Sequence, residues 1–287
     1  MKSILTFTLI YLFSIGDGEY DGNKFKNPEA ISIDMKGYVY VADTDNNRIV
    51  KLKEDGTLLR VIGGFGWGKE QFDTPIDICT KSLLDIFIAD FNNQRIERYD
   101  KDLNYISSLY PLDYWDSNLT FGFPSAITNS LHGDLIIIDS ENNRLLRINS
   151  FGIPELSFGN FASGFGKVDE PAQIDINSKD IMYVTDRSAG KIISYDYFGN
   201  YLDEIGSTVL KRPNGIFIDN NDNIWVTDLS LKEIFIFSPA GDLLGRVNRV
   251  NNEQNSFANP KDLVISDHRA YILDENKIHV FSIHTNQ

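Results

Sequence analysis

Short apolar runs follow one another along the chain, some strictly alternating with polar positions, and each is cut by a turn rich in Gly, Asn or Asp. One passage, Glu29–Gly63, reads "EAISID", "MKG", "YVYVAD", then "RIVKLK", "EDG" and "TLLRVIG", four strand-like runs in succession. The passage recurs. Its second run closes on Asp43, and equivalents stand at Asp90, Asp139, Asp186, Asp228 and Asp274, about every 47 residues. Prolines upstream keep the same beat, at Pro28, Pro75, Pro124, Pro171, Pro213 and Pro260. No run of helical period separates these units, so each predicts one four-stranded antiparallel sheet. Six such sheets can bury their faces against one another around an axis. The expected fold is all-β, a six-bladed β-propeller forming a single domain over residues 1–287.

The sixth unit stops short: after "KIHVFSI" only "HTNQ" follows, with no fourth run. Gly16 precedes Pro28 by the interval that separates Gly63 from Pro75 and Gly159 from Pro171, which places "YLFSIG" in the register of a fourth strand. Residues 10–15 are therefore expected to close the last blade beside residues 277–283, because a bare outer edge invites association. The alternative is an export signal over residues 1–16, with Lys2, an apolar Ile4–Phe13 and small residues at Ser14 and Gly16. That run is short for a membrane-spanning helix. No integral membrane domain is expected, and the chain reads as soluble and monomeric, either cytoplasmic with the strand retained or exported through the signal.

Charge narrows the partners. Asp and Glu number 41 against 27 Lys and Arg, a formal charge of -14, and this field repels phosphate backbones. Nucleic acid is an unfavoured partner. Cys79 is the single cysteine, which excludes an intrachain disulfide and a cysteine-cluster metal site.

The repeated aspartates are read as turn residues that accept backbone hydrogen bonds. Arg48, Arg95 and Arg144 follow theirs by the same step, and are expected to bridge to a carboxylate or a backbone carbonyl across a blade boundary. The step then decays, since Lys191 and Glu233 stand where arginine is expected. The prolines mark entry to the innermost strand.

"PEAISIDMKGYVYVADTDNNRIVKLKEDGTLLRVIG" resembles an NHL repeat, and related copies cover almost the whole chain. The resemblance implies a six-bladed propeller presenting a partner-binding surface. Some relatives are peptide-amidating lyases with a histidine-centred metal site. Here His132, His268, His279 and His284 crowd toward the end without equivalent blade positions. Others bind RNA through a basic face, which the acidic balance disfavours. "PNGIFIDNNDNIWVTD" is also similar to the gluconolactonase and senescence-marker propellers, which bind a divalent cation near the central channel. That similarity implies an alternative function, a metal-dependent lactonase-like hydrolase, with Glu29, Asn214 and Asp262 as candidate oxygen ligands for calcium or magnesium.

The favoured reading is a non-catalytic binding or scaffold propeller with no cofactor and no catalytic residue. Its partner is a protein, peptide or glycan. The connectors between units vary most within the chain, and Trp67, Tyr114, Trp115, Phe161 and Phe165 sit in them as candidate contact residues. Phe25, Phe72, Phe123 and Phe257 are expected to pack between blades.

Overall fold

The computed structural model describes residues 6–112, 115–248, 250 and 256–286. The first strand is β1 (Thr6–Ile15). Blade one contains β2 (Ala30–Ile33), β3 (Val39–Asp43), β4 (Arg48–Leu52) and β5 (Leu58–Gly63); blade two contains β6 (Pro75–Cys79), β7 (Asp85–Asp90), β8 (Arg95–Asp100) and β9 (Tyr105–Leu109). Blade three contains β10 (Pro124–Asn129), β11 (Leu135–Asp139), β12 (Arg144–Ile148) and β13 (Pro154–Phe158); blade four contains β14 (Pro171–Ile176), β15 (Met182–Asp186), β16 (Lys191–Tyr195) and β17 (Tyr201–Ile205). Blade five contains β18 (Pro213–Ile218), β19 (Ile224–Asp228), β20 (Glu233–Phe237) and β21 (Leu243–Val247). Blade six combines β22 (Pro260–Ser266), β23 (Arg269–Asp274) and β24 (Lys277–Asn286) with β1. Each blade is a four-stranded antiparallel sheet, as the repeats predict.

The two sequence markers share a beat because they face each other. Pro75 pairs with Asp90, Pro124 with Asp139, Pro171 with Asp186, Pro213 with Asp228 and Pro260 with Asp274, and a register shift follows each of these prolines. A proline can open the strand there without breaking the ladder, since the pairing is already irregular.

β1 closes the ring. It runs antiparallel to β24 from Thr6↔Asn286 to Ile15↔Ile278, with a bulge between Tyr11 and Phe13, so the closing strand extends beyond the expected residues 10–15. Phe7 meets Trp225 of blade five edge-on at 5.3 Å, and Tyr11 meets Phe281 at 5.8 Å. Burial thus anchors the strand as well as hydrogen bonding.

Among the described residues, six apolar clusters fill the gaps between neighbouring blades. Ile15, Val41, Val50, Leu273 and Val280 join blades six and one, and Ile138, Leu145, Ile174 and Val184 join three and four. Each fully buried aliphatic contributes about 1.5–3 kcal/mol. Middle strands such as "LIIID" are buried throughout, whereas outer strands such as "YLDEI" are mostly exposed, because only one neighbour covers them. The hairpin between β16 and β17 turns at Gly199, with φ of 78°, where a Cβ would meet the Phe158 ring at 2.8 Å. No helix of the described residues is long and apolar enough to cross a membrane.

Candidate functional site: two faces of the ring

The repeated aspartates are all buried and spent on the fold. Asp43 accepts the N–H of Lys26 at 2.7 Å, the Asn46 amide at 2.8 Å and Arg48 Nε at 2.6 Å. Asp90 and Asp139 repeat the arrangement with Arg95 and Arg144. The remaining guanidinium donors do not reach into a neighbouring blade's sheet. They clamp the connector entering their own blade: Arg48 donates to the carbonyls of Tyr20 and Asn23, Arg95 to Trp67, Gly68 and Gln71, and Arg144 to Asn118 and Thr120. Asp186, Asp228 and Asp274 instead accept pairs of main-chain N–H groups from the incoming connector, and Asp274 also holds His279 at 3.3 Å. Lys191 turns to Glu204, and Glu233 to Arg246.

The clamped connectors lie on the face where chains pass from blade to blade. Trp67 is 74% exposed although Arg95 fixes its carbonyl, and Phe65 lies 6.4 Å away, also exposed. Phe161 and Phe165 are exposed on a short 3-10 segment, Phe161–Gly166, in the connector between blades three and four. These two aromatic pairs sit on the same face but on connectors two blades apart. Trp115 is half-buried against Phe121 at 6.2 Å, in the core between blades two and three. Tyr114 lies outside the described residues. Phe25, Phe72 and Phe257 are buried between blades, and Phe123 is half-buried against Phe91.

Glu29 and Asn214 meet opposite ends of Lys261 at the junction of blades five, six and one, whereas the carboxylate of the adjacent Asp262 faces main-chain N–H groups. The Lys261 ammonium donates to Glu29 Oε1 at 2.7 Å and to the Pro28 carbonyl at 3.1 Å, and the Lys261 carbonyl accepts from the Asn214 amide. Asn214 Oδ1 accepts Arg187 Nε at 2.7 Å; Asp262 accepts the N–H groups of Ile31 and Leu263 at 2.9 and 2.8 Å. These residues do not fit calcium or magnesium. Glu29 Oε1, Asn214 Oδ1 and both Asp262 oxygens already accept from protein donors, and the Lys261 ammonium, itself a cation, is the partner of Glu29. Among the described residues no group of three His, Cys, Asp or Glu is placed to hold a metal.

Asp262 belongs instead to a threefold stitch at the axis. Asp77 of blade two accepts Ile127 N–H of blade three at 2.6 Å, Asp175 of blade four accepts Ile218 N–H of blade five at 2.8 Å, and Asp262 of blade six accepts Ile31 N–H of blade one. Burial pushes the Asp77 carboxyl up to about 6 and that of Asp262 well above the usual range, and the neighbouring carboxylates push the same way. Lys81 neutralises Asp175 in an ion pair and lies 5.5 Å from the Phe217 ring centroid.

One wide concavity has no counterpart in the sequence analysis. A funnel of about 1090 Å³ opens on the face opposite the connectors, and all six turns after the innermost strands line it. Lys81 forms part of its floor, and Met35, Leu83, Leu84 and Leu131 stand exposed around it. No motif announces it, because each blade supplies only a few turn residues.

No protein-family model matches the chain. NHL repeat-containing protein 3 of Mus musculus is 31% identical over 122 residues, 42% of this chain and 34% of that protein. Its Homo sapiens counterpart is 26% identical over 191 residues, 64% of this chain and 54% of that protein. The matches therefore span about a third to a half of the length of these relatives. Among solved structures, a catalytically inactive virginiamycin B lyase from Staphylococcus aureus with quinupristin has a TM-score of 0.63 at 16% identity, covering 97% of this chain and 99% of that one. A gluconolactonase from Xanthomonas campestris has a TM-score of 0.67 at 14% identity, covering 90% and 86%. At such identities the likeness is one of fold alone. With repeats, ring and relatives in agreement, the chain is a six-bladed β-propeller related to the NHL-repeat proteins.

Proposed function

We propose that this propeller is a non-catalytic binding scaffold that recognises a protein, peptide or glycan through its connector face. The observation that carries the reading is Trp67, whose ring is presented to solvent by a main chain that Arg95 holds at three carbonyls. An exposed indole on a fixed backbone loses little freedom on binding and offers a large contact area with a polar handle. Phe65, Phe161 and Phe165 extend the apolar contact along the same face. The relatives named for their NHL repeats support the scaffold reading, and the engaged oxygens of Glu29, Asn214 and Asp262 give the hydrolase reading no support.

The test is affinity capture from an extract of the source organism, with wild type and the Trp67→Ala/Phe161→Ala double variant immobilised side by side. The variant is expected to keep the wild-type melting temperature and to lose a partner that wild type retains in stoichiometric amount. Lactone hydrolysis that requires calcium or magnesium and disappears in Glu29→Gln would overturn the reading in favour of the enzyme.

A further inference from the structure

We propose that the funnel is a second docking site, for a basic peptide segment that also carries apolar side chains, and that it works independently of the connector face. Its lining contains Lys36 and Lys81 against six carboxylates, those of Asp34, Glu54, Asp85, Asp219, Asp222 and Asp267. Lys81 is already paired with Asp175, so it cancels little of the charge at the mouth. Asp34 and Asp219 accept main-chain N–H groups of their own turns, which fixes their charges in place without neutralising them. Glu54 pairs with Arg269 and Asp85 with Arg98, so the charge of the mouth rests on Asp34, Asp219, Asp222 and Asp267 against Lys36; Asp222 is held by Ser178, and Asp267 is exposed. A concave surface with this balance concentrates cations.

Apolar side chains decide what kind of cation fits. Single exposed leucines are ordinary on a protein surface. Here Met35, Leu83, Leu84 and Leu131 come from three blades and stand 82, 73, 75 and 68% exposed around one cavity. Such a patch, rimmed by carboxylates, matches alternating basic and apolar residues better than a purely hydrophilic polycation. A second copy of this chain is a poor occupant, because its charge of -14 repels the same rim. The cavity volume suits several side chains of an extended segment rather than a folded domain.

The probe is a short fluorescein-labelled peptide alternating lysine and leucine, titrated with the full chain in fluorescence anisotropy at low salt. Lysine–serine and glutamate–leucine peptides of the same length serve as controls. Saturable binding of the lysine–leucine peptide is expected, about tenfold weaker in the Asp222→Asn/Asp267→Asn variant and weakened further by added salt. The Leu83→Ser/Leu84→Ser variant is expected to lose about tenfold as well, with an unchanged melting temperature because both side chains are exposed. Asparagine tolerates the positive φ of 61° and 51° at the two acidic positions, so the first variant keeps its turns. The proposal is overturned if no saturable binding appears, if the acidic variant binds as wild type does, or if the lysine–serine or glutamate–leucine peptide binds equally well. Trp67 and Phe161 lie on the opposite face, so such a failure leaves the connector-face reading standing.

Discussion

In the first three blades a buried guanidinium joins the hairpin aspartate to the incoming connector; in the last three, the same aspartate is served by pairs of main-chain N–H groups. The carboxylate is the constant element and the cation an addition. What the cation adds is a grip on carbonyls of the connector, which sets how its exposed side chains are presented. Blade six departs furthest, with His279 near the aspartate and its fourth strand imported from residues 6–15.

Removing that imported strand is the hardest test of the comparison. A chain lacking residues 1–15 exposes the β24 edge and loses the buried Ile15 and the Phe7–Trp225 contact. The expected loss is on the order of 5 kcal/mol or more, with association of the bare edge. Calorimetry and size-exclusion chromatography check both. A stable monomer with the wild-type melting temperature would show that the ring does not depend on its closing strand.

Next in size is the cation itself. Arg95 is 2% exposed and contacts both Asp90 and Glu97 at 2.8 Å, so Arg95→Ala strands two buried carboxylates and should cost about 3–5 kcal/mol. Lys191→Ala in blade four breaks only a partly exposed pair and should cost at most about 1 kcal/mol. Urea denaturation of the two variants measures the contrast, and equal losses would erase it.

Smaller than the loss of Arg95 is a pH dependence seated in the same cluster. Glu97 is fully buried, its Oε2 has no partner, and burial outweighs Arg95 to push its carboxyl from 4.5 up to about 7. A carboxyl raised on folding contributes stability that is complete below its unfolded value and is lost as pH rises through its folded value. Stability should therefore fall by about 2 kcal/mol between pH 5.5 and 7.5, and Asp77, raised to about 6, acts in the same direction. Chemical denaturation across that range should show the slope, and Glu97→Gln should reduce it to the smaller part that Asp77 contributes.

Local rules made the ring readable from sequence. Each blade needs a proline-compatible strand start opposite a turn aspartate, so Pro75 with Asp90 and Pro171 with Asp186 leave marks in every unit. Closure by residues 10–15 was readable from the spacing of Gly16 and Pro28, although the strand's extension to Thr6 was not. The arginines were legible as bridging groups, but not their carbonyl partners, since a backbone oxygen carries no sequence label. The funnel left no trace because it is a property of six turns brought together: Lys81 meets Asp175 from 94 positions away. Separation along the chain likewise hides the place of Lys261 between Glu29, 232 positions away, and Asn214, 47 positions away, residues whose types alone point to an ion.

The antiparallel seam between β1 and β24 also fixes how the ring yields to force. Thr6 is paired with Asn286 at one extremity of the seam, so a pull applied to these two residues loads its hydrogen bonds one after another instead of all together. Tension through the ends of the seam would peel the circle open like a zip, whereas a pull anchored at Thr6 and Lys277 would have to shear the whole row at once.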